Sequence, residues 1–219
     1  MRERFKLSAD VFYVRCYPNG EKLNMSDVIN NNLFLVKEHV GMFKAANNFD
    51  IYDPSTGDVI MECREPSLGL FTKLLRFTDY KRMTPFDIQI RTPDGQRIVR
   101  IQRGISIFLS KIIVSDQDNN TIGGFAQKFF SIGGKFDVLN KNEQMICQLE
   151  GKWTGWDFKF KNDEKEFAHV SKKWAGLGKE MFTSADNYIL NISTDVPEND
   201  DVRKLILAAV MCIDMVLKE

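Results

Sequence analysis

The chain has 219 residues, with 30 Lys+Arg against 30 Asp+Glu, so its formal charge is zero. That balance excludes a polycation that coats nucleic acid by counterion release, and no nucleic-acid partner is expected. Hydrophobic residues make up 43%, with 17 Phe, which excludes a disordered chain and supplies a core for a single domain over residues 1–219. The four cysteines, Cys16, Cys63, Cys147 and Cys212, are far apart and form no CxxC pair. Neither a disulfide scaffold nor a zinc site fits that spacing, and a reducing, cytoplasmic setting does. The opening MRERFKLSAD has no apolar run behind its charges, so no secretory signal is expected.

Strands are predicted first at residues 11–17 and 33–40. A series of hairpins follows. Phe49-Asp50-Ile51-Tyr52 runs through Asp53-Pro54-Ser55-Thr56-Gly57-Asp58 into Val59-Ile60-Met61-Glu62-Cys63. Residues 86–90 and 97–101 flank Thr92-Pro93-Asp94-Gly95-Gln96, and 112–114 and 121–125 flank Asp116-Gln117-Asp118-Asn119-Asn120. Residues 136–139 and 144–149 follow the same plan, as do 156–160 and 166–170. Each cluster of Asn, Asp, Gly or Pro suits a tight turn, because these residues tolerate positive φ, preset φ or bond their own backbone. Alternation such as Phe158/Phe160 against Asp157/Lys159 gives one buried and one wet face. Four of the five units open with an aromatic residue, Asp and an apolar residue, at spacings of 37, 50 and 20 residues. That irregular spacing is a meander rather than a solenoid or propeller. Ten to twelve antiparallel strands need a sandwich or a closed barrel to manage their edges.

Two stretches leave the β rhythm. Residues 68–77 (LGLFTKLLRF) space Leu70, Phe71, Leu74, Leu75 and Phe77 as one helical face, with Lys73 and Arg76 opposite. Residues 202–217 are apolar except for Arg203, Lys204 and Asp214. A helix apolar all round must be wrapped by protein or lipid. Sixteen residues span roughly 24 Å, short of the roughly 30 Å hydrocarbon core, and Asp214 would cost roughly 2.5–3.5 kcal/mol in it. No transmembrane span is therefore expected. The helix, at about 201–218, is read instead as the core of the barrel, with Leu205, Ile206, Ala209, Val210, Ile213 and Asp214 inside it and a polar partner required for Asp214. The fold class is mainly β: a closed antiparallel barrel of about 12 strands around a central hydrophobic C-terminal helix.

Nothing points to catalysis. His39 and His169 are the only histidines and sit in no nucleophile or metal motif, and His169 reads as a half-exposed, hydrogen-bonded strand residue. Gly123-Gly124 and Gly133-Gly134 make no phosphate-loop fingerprint and read as bulges or tight turns. Trp153, Trp156 and Trp174 read as core or barrel-rim residues.

The stretch from Val170-Ser171-Lys172-Lys173-Trp174 through Met181-Phe182-Thr183-Ser184-Ala185-Asp186-Asn187-Tyr188, followed by an apolar helix holding Cys212-Ile213-Asp214-Met215, resembles the C-terminal part of the phospholipid scramblase family. The resemblance extends to Asn48-Phe49-Asp50-Ile51-Tyr52, Pro85-Phe86-Asp87-Ile88-Gln89-Ile90 and Phe136-Asp137-Val138, and spans roughly residues 40 to 219. It implies the twelve-stranded barrel around a hydrophobic helix that this family is similar to in the LURP-one-related proteins and the tubby C-terminal domain. The palmitoylated cysteine cluster of animal members corresponds to residues 66–84, which hold no Cys, and the family's proline-rich N-terminal arm has no counterpart in this sequence. The calcium site proposed in the family falls on residues 184–195, where Asp186 and Asp195 are the acidic candidates. Ser184 holds the first position, Ile189 replaces the turn glycine, and alternating Tyr188, Leu190 and Ile192 read as a strand. Calcium takes six to eight oxygens, so no cofactor is expected.

Tubby-like domains bind phosphoinositide headgroups through basic side chains, which makes local basic charge the lead. Lys73, Arg76, Lys81 and Arg82 cluster with only Asp79 opposing, and Arg100 and Arg103 lie in the acid-free stretch 97–111 with Arg97 and Lys111. Guanidinium and ammonium groups suit phosphate. The expectation is a non-enzymatic module that binds anionic phospholipid at the inner face of a membrane through Lys73, Arg76, Lys81, Arg82, Arg100 and Arg103. A protein-interaction scaffold that binds no lipid and a carrier of a small apolar ligand are the alternatives; no protein partner is indicated.

Overall fold

A computed structural model describes residues 24–38, 48–66, 84–104, 111–127, 135–152, 156–172 and 187–217. The strand predicted at 11–17, the amphipathic helix predicted at 68–77, and His39, Gly133-Gly134, Trp153 and Trp174 lie outside these residues. All five predicted hairpins are present. Their strands are β2 (Phe49–Tyr52), β3 (Val59–Arg64), β4 (Phe86–Arg91), β5 (Arg97–Arg103), β6 (Lys111–Ser115), β7 (Thr121–Gln127), β8 (Phe136–Asn140), β9 (Met145–Lys152), β10 (Asp157–Lys161) and β11 (Glu166–Ser171). β1 (Leu33–Glu38) precedes the series and β12 (Asn187–Ile192) follows it. One element was not expected: the short helix α1 (Met25–Ile29), capped by the Asn24 side chain, which accepts from the Ser26 N–H at 3.3 Å.

Every strand pairs antiparallel with its sequence neighbours, and β1 also pairs with β12 through Leu35 opposite Ile189, so the described strands close into a twelve-stranded barrel. Closure leaves no edge. The repeated aromatic-Asp unit explains itself in this frame. Phe49, Phe86 and Phe136 point inward and are buried, each at the first position of a strand that starts on the same rim. The Asp that follows points out and takes a partner on the next strand. Asp50 pairs with Arg64 at 2.5 Å, Asp87 with Arg100 at 2.5 Å, Asp137 accepts from Gln148 at 3.0 Å, and Asp157 meets His169 at 2.7 Å.

The opposite rim carries the tight turns. Those opening at Thr92, Asp116 and Asn140 share one design: the first residue's N–H donates to the carbonyl four residues on, and a left-handed residue precedes the close. That residue is Gly95, Asn119 or Glu143, with φ of 93°, 67° and 61°. A strand irregularity accompanies each of them, at Ile90/Arg91, Val114/Ser115 and Val138/Leu139, as three-residue hairpin loops require.

The terminal helix α2 (Asp201–Leu217) enters from the turn rim and runs up the barrel. Residues 205–213 are buried without a break, which places Leu205, Ile206, Ala209, Val210 and Ile213 in the core as expected. The side chain of Asp214 lies outside the described part of the helix. Gly123 and Gly124 belong to β7, and their role is close approach. A Cβ on Gly123 would sit 2.1 Å from the Leu139 carbonyl and 3.1 Å from the Leu205 side chain, and one on Gly124 would sit 2.1 Å from the Ile112 carbonyl. The remaining space beside α2, between Ile112, Phe125, Phe136, Val138, Leu149 and Cys212, is about 10 Å³. One water needs about 10–15 Å³, so this space is about the size of one water.

Candidate functional site

The sequence-predicted basic residues fall into two groups. Arg64, the last residue of β3, and Phe86, the first of β4, stand on the rim opposite the tight turns. Lys73, Arg76, Lys81 and Arg82 fall between them in sequence and lie outside the described residues.

Arg100 and Arg103 are on β5, and the structure gives them different tasks. Arg100 faces outward and grips Asp87 with both prongs, Nε to Oδ1 at 2.9 Å and Nη2 to Oδ2 at 2.5 Å, while Gln102 donates to the same carboxylate at 3.3 Å. The hydrogen bond to Asp87 raises the guanidinium further above its usual range, with burial opposing and the Asp87 charge assisting. Arg103 faces inward, is 4% exposed, donates to the Thr84 carbonyl at 2.6 Å and lies over the Phe86 ring at 4.6 Å. Arg103 also weakens the rise that burial imposes on the Cys212 thiol of α2. Its head is part of the packing under the rim.

Two arginines that the sequence reading did not select are placed otherwise. Arg91 and Arg97 are partners on β4 and β5, just past the strand irregularity at Ile90/Arg91. Arg91 donates only to Gln89 Oε1, from Nε at 3.0 Å and Nη2 at 2.5 Å. Arg97 Nη2 donates to the Gln117 carbonyl at 2.6 Å and to Asn119 Oδ1 at 2.9 Å. The signal that could have found them is register: Arg91 and Arg97 close the same hairpin, five residues of turn apart.

On the metal candidates, Asn187–Ile192 is strand β12, with Tyr188, Leu190 and Ile192 buried, as the alternation indicated. Asp195 sits in the exposed turn after it, where its N–H donates to Ser193 Oγ at 3.2 Å, and Asp186 lies outside the described residues. Among the described residues no group of three His, Cys, Asp or Glu could hold a metal ion. His169 is the half-exposed, hydrogen-bonded strand residue expected, on β11 against Asp157. Trp156 stands at the rim, stacked on Tyr188 at 5.5 Å with Lys172 Nζ 4.2 Å above its ring.

The tight-turn rim is acidic. The turns 53–58, 92–96, 116–120, 140–144 and 162–165 and the loop 193–201 hold twelve Asp or Glu against two Lys. The segments that link the other strand ends in sequence, 39–47, 67–83, 105–110, 128–134, 153–155 and 173–186, lie outside the described residues and hold eight Lys or Arg against three acids. No described helix is long and apolar enough to cross a membrane.

Comparison with known proteins gives the family. Human phospholipid scramblase family member 5 is 22% identical over 124 residues, covering 50% of this chain and 46% of that protein. Bovine phospholipid scramblase 2 is 23% identical over 150 residues, covering 62% and 50%, and a phospholipid scramblase family protein of Schizosaccharomyces pombe is 21% identical, covering 54% and 34%. The matches thus span half or less of each relative's length. An X-ray structure of an Arabidopsis thaliana protein superposes with a TM-score of 0.49 at 14% identity, over 86% of this chain and 94% of that one. The Scramblase family model matches residues 21–219, and the chain belongs to the Scramblase family.

Proposed function

We propose that the protein is a non-catalytic module that docks on an anionic phospholipid surface, at the inner face of a membrane, through the rim opposite its tight turns. The supporting observation is a charge asymmetry in the sequence: the segments that link the strand ends away from the tight turns hold eight cationic residues, and the tight turns with the loop 193–201 hold twelve acids. Such a dipole turns the basic rim toward a negative surface and the acidic rim away from it. Lys73, Arg76, Lys81 and Arg82 supply most of that excess in the sequence, close to Leu70, Phe71 and Leu74. Basic side chains attract the headgroups and apolar ones enter the layer beneath. Arg100 and Arg103 serve this reading by holding Asp87 and the Phe86 ring under the rim.

Liposome flotation tests the proposal. Binding to vesicles containing phosphatidylserine is expected at low salt and absent from neutral vesicles. Each Lys or Arg near such a surface contributes about 1 kcal/mol, so replacing Lys73, Arg76, Lys81 and Arg82 with Gln should weaken partitioning roughly a thousandfold. Binding that ignores both lipid charge and these four residues would refute it.

A further inference from the structure

The outer wall of the barrel obeys charge pairing almost everywhere it is described. Lys37 stands opposite Asp50, Lys159 bonds Glu166 at 2.8 Å, and Glu150 takes Lys135 at 2.8 Å and Lys161 at 3.2 Å. Like charges directly opposite across a ladder are destabilising, so an exception calls for a counter-ion. One exception has it: Asp50 and Glu62 face each other on β2 and β3, and Arg64 bridges them at 2.5 and 3.5 Å. The mirror-image exception does not. Arg91 and Arg97 face each other on β4 and β5, and neither bonds a carboxylate. Glu62, in register with Arg91 from the other side, is turned to Arg64. Arg97 Nε is buried with no hydrogen-bond partner.

We propose that Arg91 and Arg97 form an anion site on the barrel wall that takes a phosphate monoester. Antiparallel partners have Cα atoms about 5 Å apart, and this pair stands at the irregularity after Ile90, so two arginine arms that now rest on Gln89 and on the 116–120 turn can swing to one tetrahedral oxyanion. The planar fork of guanidinium matches two phosphate oxygens at once, which a lysine cannot do. A dianion there plays the part that Arg64 plays between Asp50 and Glu62. The side-chain amide of Gln89, already holding Arg91, adds a neutral donor beside it. The pair lies next to the tight turn at 92–96, so the site is separate from the basic rim and stands or falls independently of membrane docking.

The test uses the full chain with three probes: inorganic phosphate, glycerol 3-phosphate, and vesicles of phosphatidic acid in phosphatidylcholine. Arg91→Gln is the principal variant, because Arg97 also ties down the 116–120 turn; Arg97→Lys is the second, keeping charge and losing the fork. Wild type at a hundredfold excess of probe over Kd should gain about 5–10 °C in Tm. Arg91→Gln should lose that gain while its own Tm, without probe, is unchanged or higher, since a repulsion has been removed. Response to the soluble probes assigns a soluble phosphate ester, and response to the vesicles alone assigns a lipid headgroup. The proposal is overturned by no response to any probe, by a response that Arg91→Gln and Arg97→Lys both keep, or by a fall of several degrees in the unliganded Arg91→Gln protein. Retention of vesicle binding by the Lys73/Arg76/Lys81/Arg82 variant with loss in Arg91→Gln would separate this site from the rim.

Discussion

Arg203 shows how one side chain can close a barrel. It sits in the first turn of α2, is 2% exposed, and no carboxylate is among its bonding partners. Its guanidinium donates instead to the carbonyls of Pro197 at 3.0 Å, Val196 at 3.0 Å and Asn31 at 3.1 Å, to Asn32 Oδ1 at 2.7 Å, and more weakly to the Ile29 and Asn30 carbonyls at 3.4 Å. The end of α1, the start of β1 and the loop entering α2 thus converge on one cation. The Ile29 and Val196 bonds are buried and the others partly buried, and a charged donor contributes about 1.5–3 kcal/mol to such a bond. Arg203→Met keeps the apolar stem and removes every donor. A loss of about 3 kcal/mol is expected, a Tm lower by about 6–12 °C for a chain of this length; a change under about 2 °C in calorimetry would show the cage to be dispensable. In the sequence Arg203 was merely one of three breaks in an apolar run, because nothing local marks a residue whose partners lie some 170 positions away.

At the scale of elements, hairpins were legible because their determinants are local. The turn residues, the alternation and the aromatic-Asp openings lie within about ten residues of one another, and strands appear where these place them. The short helix α1 escaped, since five residues carry too little periodicity to stand out. Cross-strand ion pairs were not legible either, as they depend on register between strands. Glu150 on β9 is an example, bonded to Lys135 just ahead of β8 and to Lys161 on β10. The Lys135 hydrogen bond leads in holding its carboxyl below the usual range, with burial opposing and Lys161 assisting. A carboxylate depressed in the folded state contributes stability above its unfolded pKa and loses it as pH falls through the folded one. Tm should therefore be flat with respect to Glu150 above about pH 5 and decline below about pH 4, and Glu150→Gln should show a shallower acid decline than wild type. Equal acid slopes for the two proteins would remove Glu150 from the account.

For the molecule as a whole, the decisive fact is that the sheet has no interior without α2. Leu205, Ile206, Leu207, Val210, Met211 and Ile213 are each at most 2% exposed. Burial of such a side chain contributes about 1.5–3 kcal/mol, so these six together rival the whole stability of a typical domain, about 5–15 kcal/mol. A chain ending at residue 200 should consequently show no cooperative thermal transition, and restoring residues 201–219 as a separate peptide should bring one back; a sharp transition in the shortened chain would mean the barrel has another core. The number of strands, their antiparallel order and the apolar helix within them were determined by the sequence alone, because periodicity, turn chemistry and hydrophobicity act over short distances. Which cations are engaged was decided only by the tertiary structure. Arg100 and Arg103 looked available along the chain, yet closure of the barrel sets one against Asp87 and the other against Phe86, and makes Arg91 and Arg97 partners across β4 and β5. Charge is read residue by residue, but neutralisation is a property of pairs, and pairs are made by register and by the inward or outward face of a strand.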